Sequence, residues 1–194
     1  MGLLSDQVDQ KEIDVITREL KRVIDKNISG DVVEFGCYIG TTSVFLARML
    51  MPTDRELYVY DSFAGLPEKH AKDTSPLGER FIVGELMASK KQFIKNMIQA
   101  GVKMPIIKKA WFSDLTHDDV PTKVAFAFLD GDYYRSVVDP LRLLESCFVP
   151  GATIVVDDYG NAALPGAARA VDEWLQKHPS ATKRVEHSLA VIYI

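Results

Sequence analysis

Only two cysteines occur in 194 residues, which leaves nothing from which to build a disulfide framework. Cys37 and Cys147 both sit among apolar neighbours and read as buried free thiols of a reducing compartment. No apolar run approaches the ~18 residues that a membrane span needs. The N-terminus carries charges but no apolar stretch of the secretory kind. Basic residues are outnumbered, 23 Lys and Arg against 27 Asp and Glu, which argues against a general nucleic-acid binder. The four histidines, at 70, 117, 178 and 187, follow no metal-binding spacing. These absences point to a cytoplasmic protein with neither nucleic acid nor membrane as its partner.

What the chain does contain is an ordinary globular mixture, 47% hydrophobic and 26% charged, with a length that suits one domain spanning 1–194. Residues 8–28 repeat apolar positions at helical spacing, from Val8 through Ile16 and Leu20 to Ile24, closed by Asn27 and Gly30. From Val32 onward the pattern alternates. Strands are expected at 32–36, 57–60, 104–107, 124–129 and 152–156, with closing strands within 184–194. Helices are expected at 41–51, 85–99, 137–148 and 167–177. Asp139 and Pro140 suit the N-cap and first position of the third of these, and Thr41 or Thr42 suits the cap of the first. Residues 64–83, rich in Pro, Gly and charge, are long for a connection and read as a lid. Within that loop Lys72 and Arg80 would attract an acidic substrate, and His70 alone among the histidines could reach one. Such alternation predicts an α/β fold: a doubly wound, mostly parallel sheet behind a leading N-terminal helix.

In such sheets ligands bind at the carboxyl ends of the strands. Here those ends carry acids or glycines: Glu34 through Gly40, then Asp61, then Asp130-Gly131-Asp132, then Asp157-Asp158-Tyr159. Gly36 permits a tight turn, and Gly40 lets the next helix approach its strand. Tyr38 stands where a dinucleotide site needs bare backbone, so a pyrophosphate is disfavoured and an amino-acid carboxylate suits better. Glu34 could hold a cationic amine. Asp61 follows Gly40 by 21 residues, about where an acid meets ribose hydroxyls.

Asp130 and Asp157 are 27 residues apart, the length of one helix with its loops. If their strands are neighbours, their ends lie about 4.8 Å apart. One hard cation could then join Asp130, Asp157 and Asp158, provided the chain turns at Asp158, since adjacent strand residues face opposite ways. Asp130 and Asp132 share a face if the segment is extended, so one could hold metal while the other takes a proton.

Taken together, Glu34-x-Gly36-x-Tyr38-x-Gly40, Asp61-Ser62-Phe63-x-Gly65-Leu66-Pro67, Trp111-Phe112-Ser113-Asp114, Asp130-Gly131-Asp132-x-Tyr134-x-Ser136 and Asp157-Asp158-Tyr159 resemble the macrocin O-methyltransferase family over residues 31–160. The resemblance implies a class I, Rossmann-like methyltransferase fold of about seven strands. It implies S-adenosylmethionine and Mg²⁺ as cofactors, a sugar hydroxyl of a small molecule as acceptor, and allows a homodimer. It implies that Glu34, Gly36, Tyr38, Gly40 and Thr42 hold the methionine part of the cofactor, Asp61 and Ser62 its ribose, and Trp111 and Phe112 its adenine. Asp130, Asp157 and Asp158 would bind the metal, and Asp132 would be the base. The stretch before the first strand is short for the family, so little enclosure from that side is expected. Catechol O-methyltransferases share the first motif but carry a lysine after the first metal Asp, where this chain has Gly131, Asp132, Tyr133 and Tyr134. A nicotinamide dehydrogenase, or a nucleotide-binding protein without methyl transfer, would leave Asp157-Asp158 unexplained.

Overall fold

Helix α1, Gln10–Asp25, starts at a reciprocal cap: Asp9 accepts from the Glu12 amide while the Glu12 carboxylate accepts from the Asp9 amide. Its buried stripe of Ile13, Ile16, Leu20 and Val23 lies against the sheet. The computed structural model describes residues 2–78 and 81–194; the expectation for Arg80 lies outside the described residues.

Seven strands form one sheet: β1 Asp31–Phe35, β2 Leu57–Asp61, β3 Ile106–Lys109, β4 Val124–Leu129, β5 Phe148–Val156, β6 Thr182–Glu186 and β7 Leu189–Tyr193. Their order is β3-β2-β1-β4-β5-β7-β6, and β7 runs opposite to the other six strands, pairing antiparallel with both β5 and β6. Helices α1, α2 (Thr41–Leu50) and α3 (Lys90–Ala100) contribute to the apolar core on one face. Helices α4 (Tyr134–Leu144) and α5 (Pro165–Lys177) cover the other. The central strand β4, Val-Ala-Phe-Ala-Phe-Leu, is buried along its whole length, as a strand covered on both faces must be. This is the doubly wound sheet expected from the alternation.

Several details differ from that expectation: the helix expected at 85–99 begins only at Lys90, capped by Ser89, and the strand expected at 104–107 lies at Ile106–Lys109. Helix α4 begins at Tyr134, not at Asp139, and Pro140 lies inside it. A first-turn partner that lies far away in the chain makes this start possible: Asp73, in the long loop, accepts a hydrogen bond from the Tyr134 amide at 2.7 Å. Pro140 has no N–H for the Ser136 carbonyl, and that carbonyl lies so near Gly131 that a Cβ there would stand 2.5 Å from it. Phe148 opens β5 instead of ending α4. The cap of α2 is Gly40 in the left-handed region, with Thr41 its first helical residue.

The long loop after β2 is partly pinned. Asp73 is buried, and its second oxygen accepts from the His70 amide at 2.7 Å. Lys72 pairs with Glu173 at 2.5 Å and donates to the Tyr134 hydroxyl at 3.0 Å. His70 stacks on the Tyr134 ring, 5.0 Å between centroids. Lys72 and His70 are thus engaged in tying the loop to α4 and α5. Among the described residues no helix is long and apolar enough to cross a membrane, and both cysteines are free and buried.

Because Asp73 satisfies two backbone amides at once, Asp73→Ala should lower stability by about 2–4 kcal/mol. Urea unfolding checks this through a lower midpoint at unchanged slope.

Candidate active site

The strand register creates the site. Phe35 pairs with Tyr60 on β2 and with Leu129 on β4, and Leu129 pairs with Val156 on β5. The next residue on each strand is therefore Asp61, Gly36, Asp130 and Asp157, in one row across four neighbouring strands. The row crosses the place where the connections reverse, between β1 and β4, which is where doubly wound sheets open a crevice. A cavity of about 480 Å³ lies over it, lined by Gly36, Tyr38, Asp61, Ser62, Trp111, Phe112, Asp130, Asp132, Asp157 and Asp158 among others.

Gly36 has φ +86°, and a Cβ there would fall 1.9 Å from the Asp130 carbonyl oxygen, so no larger residue fits. The chain then turns through Tyr38 at φ +46°. Asp61 holds that turn: its Oδ2 accepts from the Cys37 amide at 2.8 Å and the Tyr38 amide at 3.2 Å. Its Oδ1 accepts from the Phe63 amide at 2.6 Å, fixing a second left-handed residue at φ +50°. Asp61 thus organises both loops around the cavity in addition to lining it.

Glu34, Gly40 and Thr42 are not among the residues that line this cavity. Glu34 is fully buried behind the turn; its Oε2 accepts from the Ser43 hydroxyl at 2.5 Å, and its Oε1 has no partner. Burial pushes its carboxyl up to about 8. Gly40 packs against α3, where a Cβ would meet the Phe93 ring at 3.0 Å. Phe112 lines the cavity and also stacks edge-on against Phe35, 5.3 Å between centroids. Trp111 is part exposed at the cavity wall.

The acidic residues come together. One carboxylate oxygen each from Asp130, Asp157 and Asp158 lies within 4.8 Å of the others. Strand β5 has ended at Val156 and Asp158 sits at φ +56°, so the chain turns where the pairing required it to. Asp132 reaches the cavity differently from the extended path expected of it: it too has φ +56°, directly before α4. Asp157 accepts from its neighbour's amide at 2.8 Å and from the Ser188 hydroxyl at 3.3 Å. Asn161 donates to Asp158 at 2.8 Å.

Burial raises all four carboxyls; repulsion from neighbouring aspartates adds to it for Asp130, Asp132 and Asp157, and from Glu12 for Asp158. Asp130 and Asp157 are held well above the ordinary range, and Asp132 is pushed up to about 8. An all-oxygen set of this kind suits a hard cation. Three carboxylate oxygens leave the remaining positions of such a cation to water or an acceptor hydroxyl.

Sequence reasoning missed the wall opposite. Asp6, Gln7 and Glu12 line the cavity, so the stretch before β1 does enclose it. Ser5 hydrogen-bonds Thr41 at 3.2 Å and Val8 is buried, which holds the segment down. Glu12 also accepts from the Ser188 hydroxyl. A polar stretch without periodicity carried no signal for this.

A seven-stranded sheet of this order, with its cavity at the switch point between β1 and β4, defines a class I methyltransferase fold. Residues 6–188 match the model of the macrocin O-methyltransferase (TylF) family, and the chain belongs to that family. It is 32% identical over 163 residues to a tetracenomycin 4'-O-methyltransferase of Streptomyces olivaceus, one that acts on the 2,3-dimethoxy-α-L-rhamnosyl form; the match covers 78% of this chain and 61% of that protein. It is 26% identical to the demethyldecarbamoylnovobiocin O-methyltransferase of Streptomyces niveus, over 90% of this chain and 69% of that one. The structure of the O-methyltransferase NovP superposes with TM-score 0.83 at 25% identity, covering 94% of this chain and 78% of the other. The calicheamicin methyltransferase CalS11 shares the fold at TM-score 0.76 and 16% identity, over 95% of this chain and 80% of the other.

A carboxyl raised on folding stabilises the fold while protonated. For Glu34 that contribution is complete below about pH 4.5 and is lost as pH rises through about 8. Thermal unfolding in chelator should therefore give a lower midpoint at pH 8.5 than at pH 5. In Glu34→Gln the fall should be smaller; an equal fall would remove Glu34 as a source of it.

Proposed function

We propose that this protein transfers a methyl group from S-adenosylmethionine to a sugar hydroxyl of a glycosylated natural product, with Mg²⁺ bound by Asp130, Asp157 and Asp158. The observation that carries this reading is the row itself. Three carboxylates with oxygens within 4.8 Å share one cavity with the Gly36 turn and Asp61. The activities of the two Streptomyces relatives, both O-methyltransferases, support it.

Transfer is an in-line displacement: the acceptor oxygen forms a bond to the methyl carbon while the carbon–sulfur bond breaks and its electron pair returns to sulfur. A bound cation supplies charge that lowers the pKa of the acceptor hydroxyl. The chain's residues do the rest. Gly36 and Tyr38 shape the cofactor's methionine end, with Glu34, Gly40 and Thr42 setting the turn from behind. Asp61 and Ser62 face the ribose, and Trp111 and Phe112 the adenine. Asp132 accepts the hydroxyl proton. Burial holds its carboxyl up, to about 8, and a cation beside it would favour the charged form that can accept a proton. Asp6, Gln7 and Glu12 wall the acceptor side.

Two measurements test this. S-adenosylhomocysteine formation should stop in excess chelator and return with Mg²⁺. Asp132→Asn should keep cofactor affinity and lose about 10²–10⁴-fold in turnover; full turnover in that variant removes Asp132 as base. Separately, Asp61→Ala should weaken cofactor binding about 10–100-fold by calorimetry, because it loses a charged acceptor and loosens both loops.

A further inference from the structure

The cavity, about 480 Å³, is the size of one drug-like ligand. A nucleoside cofactor along Gly36, Asp61 and Trp111 would take up much of this space and leave limited room beside the three carboxylates. Whatever the acceptor's sugar is attached to would then lie toward the outside, on the rim. Residues 81–87 form a rim of unusual composition. Phe81 and Leu86 line the cavity, and both hold left-handed backbone, φ +60° and +57°, which bulky residues adopt only under constraint. The constraints are present. The Tyr133 hydroxyl donates to the Phe81 carbonyl at 3.2 Å, the Leu66 amide to Glu85 at 2.8 Å, and the Gly84 amide to Leu66 at 3.0 Å. Leu66, Tyr133 and Leu164 pack beneath Phe81 and Leu86.

Turning those two side chains inward leaves Ile82, Val83 and Met87 outward, 66%, 62% and 68% exposed. Three apolar side chains offer far less than the ~800 Å² per partner of a stable protein interface, so a second copy of the chain is too large an occupant for them. A flat apolar small molecule suits their area, and because their chain neighbours Phe81 and Leu86 line the cavity, it would sit at the cavity's edge. We propose that Ile82, Val83 and Met87 form a platform for the apolar aglycone of the acceptor, while its sugar lies below at the carboxylates. This rests on the methyl-transfer reading above.

The test uses 1-naphthyl α-L-rhamnoside and methyl α-L-rhamnoside, titrated by calorimetry into enzyme loaded with S-adenosylhomocysteine and Mg²⁺. The naphthyl compound should bind at least about tenfold tighter, from the extra apolar area covered. In the triple variant Ile82→Ser, Val83→Ser, Met87→Ser that advantage should fall within about twofold, with methyl-rhamnoside affinity and melting temperature unchanged. Equal affinity of the two compounds in the wild type, binding of neither, or an advantage that survives the triple change overturns the platform. So does a wild-type dimer by light scattering that the triple change dissociates. Methyl transfer is read separately: a naphthyl preference lost in the variant, without any turnover in the wild type, upholds the platform and faults the chemistry.

Discussion

Four carboxyl groups gathered around one cavity, half-buried or buried, set the terms for the rest of this molecule. Burial raises the proton affinity of Asp130, Asp132, Asp157 and Asp158, and neighbouring carboxylates add to it, for Asp158 that of Glu12. Such an arrangement stands only if the backbone allows it no exit. The sheet supplies that restraint: the Asp130 amide is bonded to Phe35, and the Asp157 amide to Leu129, each at the last rung of a fully buried ladder. The hydrogen bonds that end the strands are the ones that fix the acids.

The loops around the row carry strain to the same end. Tyr38, Phe63, Asp132 and Asp158 all hold positive φ without being glycine. Each such residue costs on the order of 1–3 kcal/mol, less for aspartate, whose side chain tolerates the left-handed region. Asp61 offsets part of this with three backbone amides on one carboxylate. The result is a set of side chains aimed in advance, so that little reorganisation is left for the moment a ligand arrives.

Much of this was legible in the sequence because it depends on strand ends. Asp61, Asp130 and Asp157 follow from apolar runs that stop at an acid, and a parallel register does the remaining work of aligning them. Asp132 and Asp158 were visible as residues, but their aim comes from two backbone angles that spacing does not encode. The start of α4 was misread because its cap, Asp73, lies 61 residues upstream and joins Tyr134 only in the folded chain. An Asp-Pro pair is a strong local start signal, and tertiary contact overrode it. Glu34 read correctly as an acid at a strand end, yet its retreat behind the turn to Ser43 depends on packing. The contribution of residues 6, 7 and 12 was hidden for the opposite reason: the segment is short, polar and held by a few contacts such as Ser5 with Thr41.

The exposed rim at 82, 83 and 87 divides the molecule into parts with unequal freedom to vary over generations. At Gly36, Gly131 and Gly166 even one added carbon would collide with backbone or a buried carboxylate at under 3 Å, so any replacement there must displace the surrounding structure. The rim residues touch water and support nothing beneath them. A lineage can exchange them singly, each step leaving a folded catalyst. If the rim holds part of the acceptor as proposed, exchange at these few surface positions would change what is accepted while the row of acids stays as it is.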